Sequence, residues 1–137
     1  MSAKAIIPTM MYQDASKAIE WLCNAFSFEK HLVVPGENGS IMHAELKLGS
    51  VMIMIGSAGN GSEYSKHIKL PNQVGGFETQ SPCIVVDNPD EFYESAKQNG
   101  AKILIDIKTE DYGGRGFTCA DPEGHIWNFG SYDPFKA

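Results

Sequence analysis

The chain has 137 residues, 42% of them hydrophobic and 20% charged, and a formal net charge of −6 at pH 7. A single core in a chain of this length hides about two thirds of the unfolded surface, so one domain without disulfide staples is expected. The acidic balance gives no basic face for nucleic acid, no run reaches the ~18 apolar residues of a membrane span, and Met1-Ser2-Ala3-Lys4 carries no secretory pattern, so the expected setting is the cytoplasm, without nucleic acid or membrane as partner.

Residues 5–12 are apolar and β-compatible, and the period switches at Asp14, which can cap a helix by accepting a backbone N–H. Ile19, Leu22, Cys23 and Phe26 follow at helical spacing, and the helix is expected to stop near Ser27. Residues 29–34 form a second strand, and Pro35-Gly36-Glu37-Asn38-Gly39 is turn chemistry. Residues 41–48 and 51–55 then form a hairpin around Gly49-Ser50. The stretch from 57 to 80, with Gly59, Gly61, Gly75 and Gly76 among polar residues, is a long connection, free to move or lying over an opening. Strand 82–86 comes next, then a helix at 89–99 with Pro89 in its first turn and Gly100 at its end. Strands at 101–108, 115–120 and 125–132 complete the chain.

The second half repeats the first at a constant offset: Pro8 meets Pro82, Tyr12 meets Val86, Gly56 meets Gly130 and Ser57 meets Ser131 (82−8 and 130−56 both give 74). The expected fold is therefore α+β, with two tandem βαβββ modules in a single domain over 1–137. Module one spans about 4–57, the linker about 58–80 and module two about 81–133. The three cysteines, Cys23, Cys83 and Cys119, are odd in number and lack metal-type spacing, so reduced thiols are expected.

Strand periodicity assigns faces. His43, Glu45 and Lys47 share one face of residues 41–48, while Met42, Ala44, Leu46 and Leu48 are expected to meet the helices. The offset of 74 carries His43 to Phe117 and Glu45 to Cys119, and it carries Met52 and Met54 to Ile126 and Asn128. If the sheets curl toward each other, one cleft is lined by His43, Glu45, Met52, Met54, Arg115, Phe117 and Asn128: apolar contact area with a few polar fixtures, as small-molecule pockets have. His43 and Glu45 are the candidate catalytic pair, and the alternative for each is a hydrogen-bonded or ion-paired residue with no part in chemistry. Arg115, between Gly114 and Gly116, is suited to holding a carboxylate or phosphate, or to pinning its turn through an ion pair to Asp111 or Glu45. Trp127 has the opposite parity and belongs in the core, and His125 is expected to steady its turn.

The paired modules, with Tyr112-Gly113-Gly114-Arg115-Gly116 and Asp121-Pro122-Glu123-Gly124-His125-Ile126-Trp127-Asn128-Phe129, resemble the vicinal oxygen chelate superfamily of glyoxalase I, bleomycin-resistance proteins and extradiol dioxygenases. The resemblance covers almost the whole chain. It implies a curled mixed sheet around a cleft, and a homodimer, because many relatives complete their clefts across a dimer. Metal-dependent members place a His early on the first strand and a Glu late on the fourth strand of each module. Those four positions fall here on Ile7, Met54, Ser81 and Asn128. None supplies a carboxylate or imidazole, so no metal and no cofactor are expected.

Three functions follow from the resemblance. The first is metal-independent binding that sequesters a small aromatic or cationic molecule, such as a toxic or antibiotic compound. The second is a metal-dependent lyase or isomerase similar to lactoylglutathione lyase, in which the metal stabilises an enediolate. The third is a metal-free enzyme with His43 or Glu45 as base.

Overall fold

A computed structural model describes residues 1–136. The elements are β1 (Thr9–Tyr12), α1 (Ala15–Phe26), β2 (Glu29–Pro35), β3 (Ile41–Leu48), β4 (Val51–Ser57), β5 (Cys83–Val85), α2 (Pro89–Gln98), β6 (Lys102–Thr109), β7 (Arg115–Ala120) and β8 (Ile126–Gly130). They build two mixed four-stranded sheets, ordered β1-β4-β3-β2 and β5-β8-β7-β6. In each sheet the first strand runs parallel to the fourth and the other pairs are antiparallel. This is the α+β arrangement of two βαβββ units, with the sheets left open rather than closed on each other.

Local chemistry sets the helix ends. The Asp14 carboxylate accepts the Lys17 N–H at 3.1 Å and caps α1. Ser27 ends the helix in the left-handed region (φ 62°), a conformation more often given to glycine. Pro89 opens α2, where its missing N–H leaves no intrahelical bond unmade, and Gly100 follows the helix at φ +84°.

Both helices turn their apolar faces into one shared core. Phe26, fully buried near the end of α1, lies 5.1 Å from Trp21, 5.4 Å from Trp127 and 4.7 Å from Phe129, measured between ring centroids. Phe129 continues the run to Phe92 at 4.9 Å and Phe117 at 5.4 Å. Aromatic rings of both halves therefore form one continuous stack, with the offset geometries favoured by ring quadrupoles.

A polar seam runs alongside this stack. Asp121, buried in the β7–β8 turn, accepts the Tyr12 hydroxyl at 2.6 Å and the Trp127 indole N–H at 3.0 Å on one oxygen. Its other oxygen accepts the backbone N–H groups of Glu123 and His125, both at 3.0 Å. Glu123 in turn accepts the backbone N–H groups of Gln13 and Asp14, at 2.6 and 3.0 Å, at the approach to α1. From the opposite side the Trp21 indole donates to the Asn99 carbonyl at 2.7 Å and the Ser95 hydroxyl to the Ala25 carbonyl at 2.7 Å.

The duplication is visible in hydrogen bonds as well as in topology. Ile41 N–H donates to the Ser57 hydroxyl at 2.8 Å, and Arg115 N–H donates to the Ser131 hydroxyl at 2.9 Å, partners that keep the offset of 74. Three residues on in module one and two in module two, the offset has slipped by one. Ala44 stands opposite Ile55, and its counterpart opposite Phe129 is Phe117. The cause is a β-bulge in β3: the pairing with β2 passes from Val34–His43 to Pro35–Ile41 and skips Met42. Met42 is consequently exposed and Ile41 buried, which corrects the expectation that Met42 meets the helices. The same slip corrects module two. Phe117 and Cys119, expected beside Arg115 on the cleft face, are 3% and 0% exposed and belong to the core, while Thr118 takes the outward position.

Truncating Phe26 to Ala removes the ring that joins the two halves of the stack and is expected to destabilise the fold by about 3–5 kcal/mol, measured by urea unfolding. Burial, reinforced by the neighbouring Asp121 carboxylate, pushes the Tyr12 hydroxyl well above its usual range. Above pH about 10 an unfolded tyrosine ionises while the folded one keeps its proton, so stability falls as pH rises through that region. In Tyr12→Phe the decline above pH about 10 is expected to be shallower than in the parent, with a lower stability at neutral pH of about 1–3 kcal/mol because the buried Asp121 oxygen keeps the Trp127 indole as its one donor.

Candidate functional site

Each sheet has one face on the core and one turned away from it. On the outer face of the first sheet, Glu45 of β3 pairs with Met54 of β4 and Leu32 of β2, and Thr9 of the edge strand β1 pairs with Met54. Residues opposite one another share a face, so Thr9, Met54, Glu45 and Leu32 form one row across the sheet, with Met52, His43 and Val34 beside it. Leu32 and Val34 are exposed and Met52 and Met54 half-buried, an apolar floor open to solvent.

The polar group on this floor is a His–Glu–His set. His43 Nε2 lies 2.8 Å from one Glu45 oxygen, and His31 Nε2 lies 3.9 Å from the other. His31 reaches the face because the β2 register shifts between Lys30 and Leu32. That irregularity leaves no mark in the sequence, which is why His31 could not be placed beside the pair. His43 and Glu45 thus stand together as their spacing requires, and the carboxylate, 20% exposed, sits between two imidazoles. Such a set can take a hydrogen bond or a proton from a bound molecule.

Arg115 is committed elsewhere. Its guanidinium makes a two-pronged ion pair with Asp90 in the first turn of α2, at 2.9 and 3.1 Å, and donates to the Thr109 hydroxyl at 2.9 Å. The Asp90 carboxylate raises the proton affinity of Arg115 and is itself held below the usual carboxylate range by it. Neither Asp111 nor Glu45 is the partner, and the fork meant for an anion is filled from α2, an element the residue's glycine neighbours could not announce.

The outer face of the second sheet is differently lined. Cys83 of β5 pairs with Asn128 of β8, and the Thr118 hydroxyl of β7 donates to Asn128 Oδ1 at 2.7 Å. Asn128 also donates to the Ser81 hydroxyl at 2.9 Å and the Pro82 carbonyl at 3.0 Å. A hollow of about 300 Å³ lies here between Cys83, Ile105, Thr118, Asn128, Tyr112 and Tyr132, and Arg115 and Phe117, both expected cleft residues, also reach its wall. All three cysteines are free thiols, and burial pushes that of Cys119 up to about 12, which leaves it unreactive at neutral pH. A second hollow of about 300 Å³ lies on the helix side near Tyr12, Trp21 and Glu123, where Asp121 and Glu123 are already engaged in the seam.

The four positions at which the vicinal oxygen chelate pattern places metal ligands do not suit a divalent ion. Ser81 and Asn128 are hydrogen-bonded to each other, and Met54 and Ile7 bring a thioether and a hydrocarbon. Among the described residues no three His, Cys, Asp or Glu side chains converge to hold a metal, the His31–Glu45–His43 set included.

Comparison with known proteins agrees with this architecture. An uncharacterised protein of Mycobacterium bovis is 28% identical over 126 residues, 92% of this chain and 82% of that one. The crystal structure of TioX from a Micromonospora species superimposes with a TM-score of 0.73 at 26% identity, over 93% of this chain and 94% of TioX. The fosfomycin resistance protein FosX of Mesorhizobium loti has the same fold, with a TM-score of 0.67 at 12% identity over 99% and 98% of the two chains. The family model for glyoxalases, bleomycin resistance proteins and dioxygenases matches residues 7–129. On that match, and on two βαβββ units carried at one offset, the chain belongs to the Glyoxalase/Bleomycin resistance protein/Dioxygenase superfamily.

Proposed function

We propose that the chain binds a small organic molecule on the outer faces of its sheets and sequesters it, without a metal ion, as a binding protein of its superfamily. The observation that carries this reading is the pairing of an intact scaffold with a donor set of Ile7, Met54, Ser81 and Asn128, which cannot grip a divalent cation. The exposed floor of Leu32, Val34, Met52 and Met54 supplies contact area, and the thioethers adapt to irregular shapes. A net charge of −6 and the Glu45 carboxylate on that floor favour a cationic over an anionic ligand. Cytoplasmic residence, expected from the sequence, suits a sequestering role.

Two copies of the chain complete the cleft in this proposal. Strands β1 and β5 are sheet edges, and apolar side chains stand exposed next to them: Ile6 before β1 and Val85 within β5. Light scattering on the purified protein is expected to give about twice the 15.0 kDa chain mass, and a monomer at micromolar concentration overturns this part of the proposal.

A second reading, a metal-free enzyme, is favoured by one observation only. Glu45 is held between His43 and His31, an arrangement in which a carboxylate can accept a proton and pass charge to an imidazole.

Titration of the apoprotein with metal-free bleomycin and with proflavine, a flat aromatic cation, tests the binding reading. Saturable binding is expected for at least one of them. Glu45→Gln should weaken it about tenfold or more without changing the free energy of unfolding by more than a few tenths of a kcal/mol. Failure of both compounds and of related aromatic cations to bind, or binding restored only by added divalent metal, contradicts the proposal. A compound consumed by the parent and not by Glu45→Gln favours the enzyme instead.

A further inference from the structure

We infer that Tyr64 and Tyr112 are specificity-determining residues of the two outer faces, each standing as an aromatic rim over one end of its sheet and selecting a flat aromatic group. This rests on the binding reading above and assigns its ligand class to named side chains.

Tyr64 comes from the connecting segment between the modules. Gly56 points a bare Cα at the outer face, and a Cβ there would lie 3.3 Å from the Met42 carbonyl oxygen and 3.4 Å from the Asn60 side-chain nitrogen. Asn60 therefore lies on that face, where it donates to the Met42 carbonyl at 3.2 Å. The segment then brings the Tyr64 hydroxyl to 2.7 Å from the Thr9 hydroxyl. Thr9 pairs with Met54, in the row that also contains Glu45, so Tyr64 is anchored at the β1 end of the row, two strands from Glu45, while remaining 49% exposed.

Module two reaches the same arrangement by another route. Cys83 is the equivalent of Thr9, as Asn128 is of Met54 (83−9 and 128−54 both give 74). Tyr112, from the β6–β7 turn, lines one hollow with Cys83 and Asn128 and is 65% exposed. It meets Tyr132 edge-on, with ring centroids 5.2 Å apart and planes at 86°. Gly114 keeps that turn against the sheet: a Cβ there would lie 2.6 Å from Tyr132 N, at a φ of +72°. No duplication relates Tyr64 to Tyr112, because one sits in the linker and the other in a hairpin turn. Two unrelated segments thus deliver a solvent-open phenol ring to the β1–β4 side of one outer face and to the β5–β8 side of the other. Rings fixed at one end and open on a face are suited to stacking against planar aromatic ligands, and over a negatively charged floor such a ligand does best as a cation.

Proflavine titration of four full-length proteins, the parent, Tyr64→Ala, Tyr112→Ala and Tyr64→Phe, tests the assignment. Both rings are exposed, so the variants should unfold like the parent. Each Ala variant is expected to lose about tenfold or more in affinity, with faster dissociation, whereas Tyr64→Phe keeps the ring and should stay within about threefold of the parent. Parent binding that both Ala variants retain overturns the rim assignment and leaves the binding reading standing. Tyr64→Phe losing as much as Tyr64→Ala overturns the stacking role in favour of the Thr9 hydrogen bond. A parent that binds no flat aromatic cation overturns the assignment together with the reading on which it rests.

Discussion

The structure depends on one buried carboxylate. Asp121 in the second half takes four donors: the Tyr12 hydroxyl from the first half, the Trp127 indole and two backbone N–H groups of its own turn. A buried charge with fewer partners would destabilise the fold, and with four it becomes a joint that fixes one module against the other. The aromatic stack from Trp21 through Phe26 and Phe129 to Phe92 supplies bulk stabilisation but little direction. Glu123, engaged with the backbone at residues 13 and 14, and Trp21, engaged with Asn99, complete the alignment on either side. With the helices and this seam between them, both sheets turn their remaining faces outward.

Much of this was legible before any coordinates. The repeat at offset 74, the Asp14 cap, the stop near Ser27 and the period-2 strands led to the α+β paired-module fold, because each rests on local chemistry or on the duplication itself. What periodicity could not carry was parity through an irregular strand. One inserted residue at Met42 displaces every later equivalence on β3 by one, which is why Phe117 and Cys119 were assigned to the wrong side of the second sheet. Past the bulge, alternation is regular: His43 and Glu45 share a face and a hydrogen bond. Long-range pairing was the other blind spot. Arg115 found Asp90 and Glu45 gained His31, and neither contact has a sequence signature.

The two outer faces are no longer alike. The first has Thr9, Met54 and Glu45 on its row, and the second has Cys83, Asn128 and Thr118 at the corresponding places. Where one module has the Met54 thioether, the other has Asn128 tied to Ser81 and Pro82. A duplicated cradle whose halves diverge this far offers one soft, charged surface and one neutral, hydrogen-bonding surface, and a ligand with two dissimilar ends would fit it better than a symmetric one.

The connection between the modules has a thermodynamic consequence. It is pinned at Asn60 to β3, at Tyr64 to β1 and at Glu78 by His125, which also reaches the Met11 carbonyl, and within it the Gln73 side chain accepts the Leu70 N–H. These anchors split a long loop into short spans, each with little conformational freedom left to lose. An arm so preorganised holds its phenol ring in place before any encounter, so a molecule that stacked on it would meet a surface with little motion left to freeze.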